Sequence, residues 1–145
     1  MTRVGVVFFV VLLTSIFSCR KDLNTYQNSV ENSITQGDWS LVRYTDEGDD
    51  KTDVFSGYIF TFEEDGVFKA RYGNIGYQGF WSISDSNSGN DSMEDLTFNI
   101  QFSPAPASSL NGGWGISESI EFKLSLEGFS SGTSGDDVLI FERQA

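Results

Sequence analysis

The stretch 58-YIFTFEEDGVFKARY-72 decides the fold of this chain. Aromatic residues alternate with smaller or polar residues on both sides of the pair Asp65-Gly66. Alternation with a period of two is typical of β-strands, and an Asp-Gly pair between two such runs is the strongest short-range signal for a β-hairpin. The stretch therefore predicts two antiparallel strands, 58–62 and 67–72.

The chain after residue 37 repeats this pattern in short runs separated by turn-forming residues, and no long helical pattern is visible. The run 116–126 is the longest, and Glu118 breaks its alternation, so we expect it to begin near Ser119 or to bulge at Glu118. Pro104 and Pro106 end the run before it. The predicted strands are 39–42, 58–62, 67–72, 79–84, 96–102, 116–126 and 138–143, with 112–117 as an eighth if it pairs separately.

Sequential strands with short connections predict an all-β protein, an antiparallel up-and-down β-barrel of about eight strands. Closing the sheet into a barrel removes the exposed strand edges that an open sheet presents. A β-sandwich is the alternative.

Composition restricts the function. The 145 residues carry a net charge of −12 and include no histidine and one cysteine, Cys19. A surface this acidic disfavours nucleic acid and favours cationic partners, and solubility is the other explanation of the charge. Catalysis by a Ser-His-Asp or Cys-His arrangement is excluded, as are a disulfide framework and a metal site built from His or Cys. We therefore expect a protein that is not an enzyme and that holds no cofactor or metal.

Acidic clusters are present but do not match known sites. Glu63, Glu64 and Asp65 lie on the predicted hairpin turn, where carboxylates are normally solvated. The segment 85–91 alternates oxygen-bearing side chains, but a calcium loop starting at Asp85 would need glycine and glutamate where the chain has Asn90 and Leu96. The acidic segment 46–53 is interpreted as a solvated loop.

The first nineteen residues have the three regions of a secretory signal: Arg3, an apolar run over 4–17, and a small residue before Cys19. The stretch 16-IFSC-19 resembles the lipobox of bacterial lipoproteins. The resemblance implies cleavage before Cys19 and acylation of its sulfur. An uncleaved membrane-spanning helix is one alternative, although the run is shorter than the about 20 apolar residues that a span requires. An ordinary secretory signal is the other.

This interpretation divides the chain into a signal peptide over 1–18, a lipidated cysteine with a flexible tether over 19–33, and a barrel domain over 34–145. A short helix through Tyr26 and Val30 is the alternative for the tether. Because Arg20 follows Cys19, the lipoprotein resemblance implies delivery to the outer membrane of a Gram-negative bacterium. It leaves open whether the domain faces the periplasm or the medium.

The barrel region resembles the small bacterial lipocalin-like lipoproteins. Gly37-Asp38-Trp39 is similar to the G-x-W signature of the first lipocalin strand, and the hairpin at 60–66, the strand with Gly79-Phe80-Trp81 and the final run 138–141 follow in the same order. The resemblance implies a structural contact at the base of the barrel, in which Arg143 packs across Trp39.

An eight-stranded barrel either fills with side chains or holds one small ligand. The residues expected to line the interior and contact an apolar or amphipathic ligand are Tyr58, Phe60, Phe62, Phe68, Tyr72, Trp81, Phe98 and Phe122, with Ile100 and Leu124 also facing inward. Among the aromatic residues, Tyr58, Tyr72 and Tyr77 are the best candidates for contact with a ligand, since an apolar core would have to satisfy their hydroxyl groups.

The expected function is binding of such a small ligand by a membrane-anchored barrel. One alternative is a protein-binding module, either an inhibitor of a cationic enzyme or an accessory subunit of a surface uptake complex. In the second case an exposed Trp114, within the glycine-rich segment 111–115, would be the contact.

Overall fold

The computed structural model describes residues 23–85, 92–129 and 137–145. One helix, α1 (Leu23–Ile34), precedes the strands. The strands in these ranges are β1 (Trp39–Asp46), β2 (Asp49–Asp50), β3 (Ile59–Phe62), β4 (Val67–Tyr72), β5 (Ile75–Asp85), β6 (Leu96–Phe102), β7 (Gly112–Ile120), β8 (Lys123–Gly128) and β9 (Val138–Arg143). Short 3-10 turns cover Thr52–Phe55, Met93–Asp95 and Ala107–Leu110. No helix within the described ranges is long and apolar enough to span a membrane.

The strands form a closed barrel. From β3 to β9 each strand pairs with the next, all antiparallel, and β1 joins the two edges by pairing with both β3 and β9. The two-residue strand β2 only extends the end of β1. The protein is therefore an all-β, eight-stranded up-and-down barrel, which confirms the predicted fold and rules out the sandwich.

The predicted hairpin is present between β3 and β4. Phe62 lies opposite Phe68, and the Gly66 N–H donates to the carbonyl of Glu63 at 3.0 Å. Gly66 has φ of 85°, in the left-handed region that glycine adopts without a steric penalty. The Asp65 carboxylate accepts a hydrogen bond from the Val67 N–H at 3.1 Å. The Asp-Gly pair therefore fixes the turn, and the turn fixes the register of both strands.

The barrel has two different ends. We call the base the end where β1 begins and β9 finishes, since Trp39 lies opposite Arg143 there and α1 packs beside them. We call the mouth the opposite end, where Gly73 and Asn74 turn β4 into β5. The strand order places the acidic connection after β1 at the mouth and the β7–β8 turn at the base.

The expected single strand over 116–126 is wrong. The structure has two strands, β7 and β8, joined by a turn at Glu121 and Phe122. The turn contains no Gly, Pro, Asn or Asp, so the sequence gives no local signal to break the run. The bulge expected at Glu118 is present as a register shift between Ile116 and Glu118.

The flexible tether expected over 19–33 is wrong for its described part, because α1 begins at Leu23. Its residues Tyr26, Val30 and Ile34 are spaced by four and lie on one helical face. Val30 and Ile34 are buried, and Tyr26 packs against the same core. The folded domain therefore starts at the helix rather than at residue 34, and the helix is the alternative that the apolar spacing had left open.

Aromatic rings fill the barrel. Phe62 and Phe68 stack with ring centroids 4.2 Å apart and an interplanar angle of 11°. Phe141 packs edge-on against Phe62 at 5.6 Å and against Phe60 at 5.3 Å. Such aromatic pairs contribute about 0.5 to 1.5 kcal/mol each beyond the area that they bury. The rings thus occupy the centre of the barrel, and aliphatic residues such as Leu124, Leu126 and Leu139 complete the core.

Candidate binding site at the mouth of the barrel

The interior residues expected to line a ligand cavity contact one another instead. Phe60, Phe62, Phe68 and Phe98 are at most 1% exposed. A space large enough for one water molecule would expose some surface of the rings around it. Among the described residues, these four rings therefore border no such space.

Trp81 is held in the same packed interior. Its ring stacks on Phe98 with centroids 5.7 Å apart, and its Nε1–H donates to the carbonyl of Glu63 at 3.0 Å. Ile100 and Leu124 are buried in the core as expected. The polar atom of the tryptophan is thereby satisfied within the protein, which leaves it no donor to offer a ligand.

Two of the residues expected to face inward do not lie in the interior. Tyr72 is 50% exposed, although it lies on the same face of β4 as the buried Phe68. The reason is strand length: Tyr72 pairs with Ile75 at the tip of the β4–β5 hairpin, beyond Ile59, the first residue of β3. Phe122 is 59% exposed because it lies in the β7–β8 turn rather than in a strand.

The exposed Trp114 that the uptake-complex alternative required is not present. Trp114 is buried, and its Nε1–H donates to the carbonyl of Leu110 at 3.1 Å. Leu110 belongs to the 3-10 turn Ala107–Leu110, which closes part of the mouth. Trp114 therefore supports a cap of the barrel and offers no contact surface.

Three tyrosines meet at the mouth: Tyr58 directly before β3, Tyr72 at the end of β4 and Tyr77 in β5. The Tyr58 ring stacks on Tyr72 at 5.2 Å and on Tyr77 at 6.3 Å, with interplanar angles of 27° and 23°. Register brings them together, because Ala70 of β4 lies opposite both Phe60 and Tyr77. We call Tyr58, Tyr72 and Tyr77 the tyrosine cluster.

Buried residues pack beneath the tyrosine cluster. Phe55, from the 3-10 turn Thr52–Phe55, is 1% exposed and packs edge-on against Tyr58 at 5.4 Å. Gly57 makes room for the Tyr72 ring, since a side chain there would meet it at 3.1 Å, and φ of 79° makes the position suited to glycine. Burial, and then a hydrogen bond with the Tyr77 side chain, raise the pKa of the Tyr58 hydroxyl. Tyr58 therefore stays neutral at physiological pH.

Apolar side chains extend this surface outward. Ile75 is 56% exposed at the hairpin tip beside Tyr72, and Val54 is exposed next to Phe55. Sequence reasoning placed Ile75 in a turn and missed it. A Gly-Asn pair is one of the two-residue turns that connect hairpin strands, so reading Gly73-Asn74 in that way would have put Ile75 at the start of β5.

Carboxylates flank the tyrosine cluster at the same end. The connection 46–53 holds five acidic residues and one basic residue, Lys51, which forms an ion pair with Asp46. Asp50 accepts hydrogen bonds from the hydroxyl and then the N–H of Thr52, and these lower the pKa of its carboxyl group. Asp50 therefore keeps its negative charge, and the mouth carries both aromatic rings and carboxylates.

At the base, the polar atoms of Trp39 and Arg143 are paired within the protein. The Trp39 Nε1–H donates to the carbonyl of Ile34 at 2.8 Å, which ties α1 to the barrel. Arg143 Cζ lies 6.0 Å from the centroid of the Trp39 ring, and the guanidinium forms an ion pair with Glu121 at 3.2 Å. This is the geometry that the lipocalin resemblance implied, and it is structural in character.

Acidic groups in the described parts of the chain do not converge on a metal site, as no three of them lie close enough to share an ion. The carboxylate of Glu63 forms an ion pair with Lys69, and Glu64 and Asp65 are exposed on the β3–β4 turn. The signal peptide, Cys19 and most of the acidic segment 85–91 lie outside the described residues.

No protein-family model matches the sequence, and no curated protein matches it. Among solved structures, the chain is similar to a DUF4847 family protein from Bacteroides vulgatus ATCC 8482, with 19% identical residues and a TM-score of 0.46. The match covers 77% of this chain and 94% of that chain. A similarity of this degree identifies no ligand or partner, so the site is interpreted from its own geometry.

Proposed function

We propose that this protein is a non-enzymatic binding module, anchored by an acylated Cys19 to the outer membrane of a Gram-negative bacterium, and that it binds a cationic partner protein at its mouth. The signal-like residues before Cys19 and the lipocalin-like order of motifs support the anchor and the class. The observation that carries the binding role is the tyrosine cluster, whose Tyr72 is half exposed at the same end as the acidic connection 46–53, on a barrel whose interior is filled.

The filled interior favours a surface contact over an enclosed ligand. Lipocalin-like barrels that carry small molecules need internal space, whereas the rings around Phe62 pack at 4.2 to 6.3 Å from one another. The tyrosine cluster, in contrast, presents stacked rings and the exposed Ile75 to solvent. Tyrosine is among the residues enriched at protein interfaces, because its ring is rigid and carries a polar tip.

Charge favours a cationic partner. The whole chain carries a net charge of −12, and removal of residues 1–18, which contain Arg3 and no acidic residue, makes it −13. At the mouth, the carboxylates of 46–53 flank aromatic faces on which Lys or Arg side chains can also pack through cation–π contacts. Complementary charge steers association and makes it sensitive to salt.

Site-specific photo-crosslinking in the native cells tests whether a basic protein binds at the mouth. A benzoyl-phenylalanine at position 72 is expected to form one dominant adduct with a basic protein, and the adduct should weaken as salt rises. The matched control is the same probe at Phe80, which is 59% exposed on the barrel wall. Equal adducts from positions 72 and 80, or a salt-insensitive adduct, would count against the proposal.

The anchor has its own test. Metabolic labelling with an alkyne fatty acid is expected to label the wild-type protein and to leave the Cys19→Ser variant unlabelled. Wild-type protein that carries no label would remove the membrane anchor and leave the binding surface to be judged separately.

A second candidate is a small amphipathic molecule held at the side of the mouth. A groove of about 280 Å³ runs beside Tyr77, and Lys69 and Arg71 are among the residues that line it. The volume is just below that of typical ligand pockets, about 300 to 1,000 Å³. An Arg71→Ala variant that loses a co-purifying small anion, with the photo-crosslink at position 72 unchanged, would favour this candidate.

A further inference from the structure

The β7–β8 turn exposes apolar side chains at the base. Phe122 is 59% exposed and Ile120 is 39% exposed, and only Glu121 separates them. Most apolar residues near the base are buried under α1 or inside the barrel, among them Val30, Ile34 and Trp39. The turn is therefore an apolar projection on an end that is otherwise closed.

Hydrogen bonds hold this projection in place. The Ser33 hydroxyl of α1 donates to the carbonyl of Ile120 at 3.1 Å, and the Arg143 N–H donates to the carbonyl of Phe122 at 2.9 Å. The turn and the C-terminal part of α1 are thus parts of one surface. We call α1 together with the turn 120–122 the basal face.

The basal face carries little net charge for a chain this acidic. The exposed residues of α1 are uncharged, namely Thr25, Asn28, Ser29 and Asn32. Glu31, the acidic residue of α1, accepts a hydrogen bond from Gln27 at 2.8 Å. Glu121 is paired with Arg143, and Lys123 with Glu118. Glu121 nevertheless remains 84% exposed. Further exposed carboxylates at this end belong to Glu64 and Asp65 on the β3–β4 turn, Asp85 at the end of β5, Glu94 before β6 and Glu142 near the end of β9.

The basal face is also next to the proposed anchor, and this step rests on the acylation of Cys19. Leu23, the first residue of α1, is four residues after Cys19. Whatever its conformation, that connection spans at most about 14 Å. A 12-residue helix is about 18 Å long, so the far end of α1, where Ser33 contacts the turn, lies within about 32 Å of Cys19. The anchor thus keeps the basal face within reach of the bilayer but does not by itself place it in the interface.

We propose that the basal face docks on the lipid bilayer, with Phe122 and Ile120 inserted at the boundary between headgroups and acyl chains. The partner is a zwitterionic phospholipid surface, because the basal face offers paired charges and apolar side chains rather than a cluster of lysines. Docking in this way fixes the orientation of the barrel, so that the tyrosine cluster faces away from the membrane.

Spin labels on the acylated protein in phosphatidylcholine vesicles test the orientation. One label replaces Asn32 on α1, and the control label replaces Asn74 at the mouth; both positions are exposed. On binding to vesicles, collisions of the Asn32 label with a water-soluble nickel chelate are expected to fall about threefold or more, since the interface excludes the chelate. The Asn74 label should not change.

Variants separate docking from anchoring. The double substitution Phe122→Ser with Ile120→Ser should abolish the protection at position 32, whereas Phe80→Ser on the barrel wall should preserve it. Equal accessibility at positions 32 and 74, or protection that survives the double substitution, would overturn the docking. An intact mass without acyl groups would instead refute the anchor on which the docking rests, so the two failures are distinguishable.

Discussion

The base and the mouth of this barrel both contain aromatic residues, but different elements of the structure cover them at the two ends. At the base, Trp39 is covered by α1 and Arg143 and is completely buried. At the mouth, Phe55 and the turn Ala107–Leu110 cover the centre, and the β4–β5 hairpin projects past them. At the mouth, Phe55 and Trp114 are therefore buried, whereas the inward-facing Tyr72 is half exposed.

Strand β4 shows the difference within six residues. Phe68, Ala70 and Tyr72 share one face, and the first two are completely buried whereas Tyr72 is half exposed. Alternation determines which way a side chain points, but the length of the neighbouring strands determines whether anything covers it. A surface for a partner can thus arise at the end of a strand whose other residues are core.

The largest expected effect comes from two substitutions on this one face. Phe68→Ala removes a buried ring that contacts Phe60, Phe62 and Phe102, and should lower the free energy of unfolding by about 3 to 5 kcal/mol. Tyr72→Ala should cost less than about 1 kcal/mol and should instead remove the photo-crosslinking partner. Urea denaturation of both variants measures the difference in the free energy of unfolding. Equal losses would contradict the difference in burial described for the two positions.

The next largest loss of stability is expected where the strands of the barrel wall pack closely at Gly79. A Cβ at Gly79 would lie 2.2 Å from the carbonyl oxygen of Gln101 and 2.6 Å from the Phe102 ring, so the backbone would have to move. Gly79→Ala should therefore cost about 1 to 3 kcal/mol. Gly76→Ala, nearer the mouth on the same strand, meets nothing within 4 Å and serves as the control. Thermal unfolding of the two variants should differ, and similar melting temperatures would contradict the packing described for β5.

A smaller effect is expected at the base. Arg143→Gln removes the guanidinium above the Trp39 ring and its ion pair with Glu121, and should cost about 0.5 to 2 kcal/mol. Arg71→Gln is the matched control, because Arg71 is exposed on the barrel wall. Denaturant midpoints compare the two, and a loss no greater than that of Arg71→Gln would show that the pair at the base contributes nothing measurable.

The smallest effect is a pH dependence at the mouth. Burial raises the pKa of both Tyr44 and Tyr58 above the value of about 10 of an unfolded chain. The folded protein then holds these protons longer than the unfolded chain does. The stability that the two tyrosines contribute is complete below about pH 10 and is lost as the pH rises through their folded pKa values.

Measuring phenolate absorbance as a function of pH tests whether the pKa of Tyr58 is raised. The difference in titration between wild type and Tyr58→Phe should have its midpoint above pH 10 in the folded protein and near pH 10 in urea. Identical midpoints in the two conditions would show that Tyr58 is not shielded by its neighbours.

Local sequence signals account for most of the barrel. The Asp65-Gly66 pair and the alternation of β3, β4, β5, β6 and β9 are sufficient to predict those strands. The turn at Glu121 and Phe122 could not be predicted, because it uses residues without turn preference and Phe122 continues the apolar alternation. The helix α1 is short and polar overall, so the spacing of Tyr26 and Val30 made it only an alternative to a flexible tether, and its burial against the core decides between the two.

The candidate site was predictable in part. The hydroxyl groups of Tyr58, Tyr72 and Tyr77 mark them as residues unsuited to a dry core, and the structure brings the three together. Their exposure could not be predicted, since it depends on how far the β4–β5 hairpin extends beyond β3. The contribution of Phe55 depends on long-range packing that no local pattern encodes.

The most direct test of whether this barrel binds through its mouth or its interior is native mass spectrometry. The sample is the chain from Arg20 onward, purified from its own cells without detergent. A filled interior predicts the mass of the chain alone, or a bound molecule that Tyr72→Ala releases. A small molecule retained one to one by both the wild type and Tyr72→Ala would place a ligand among the core rings and contradict the account.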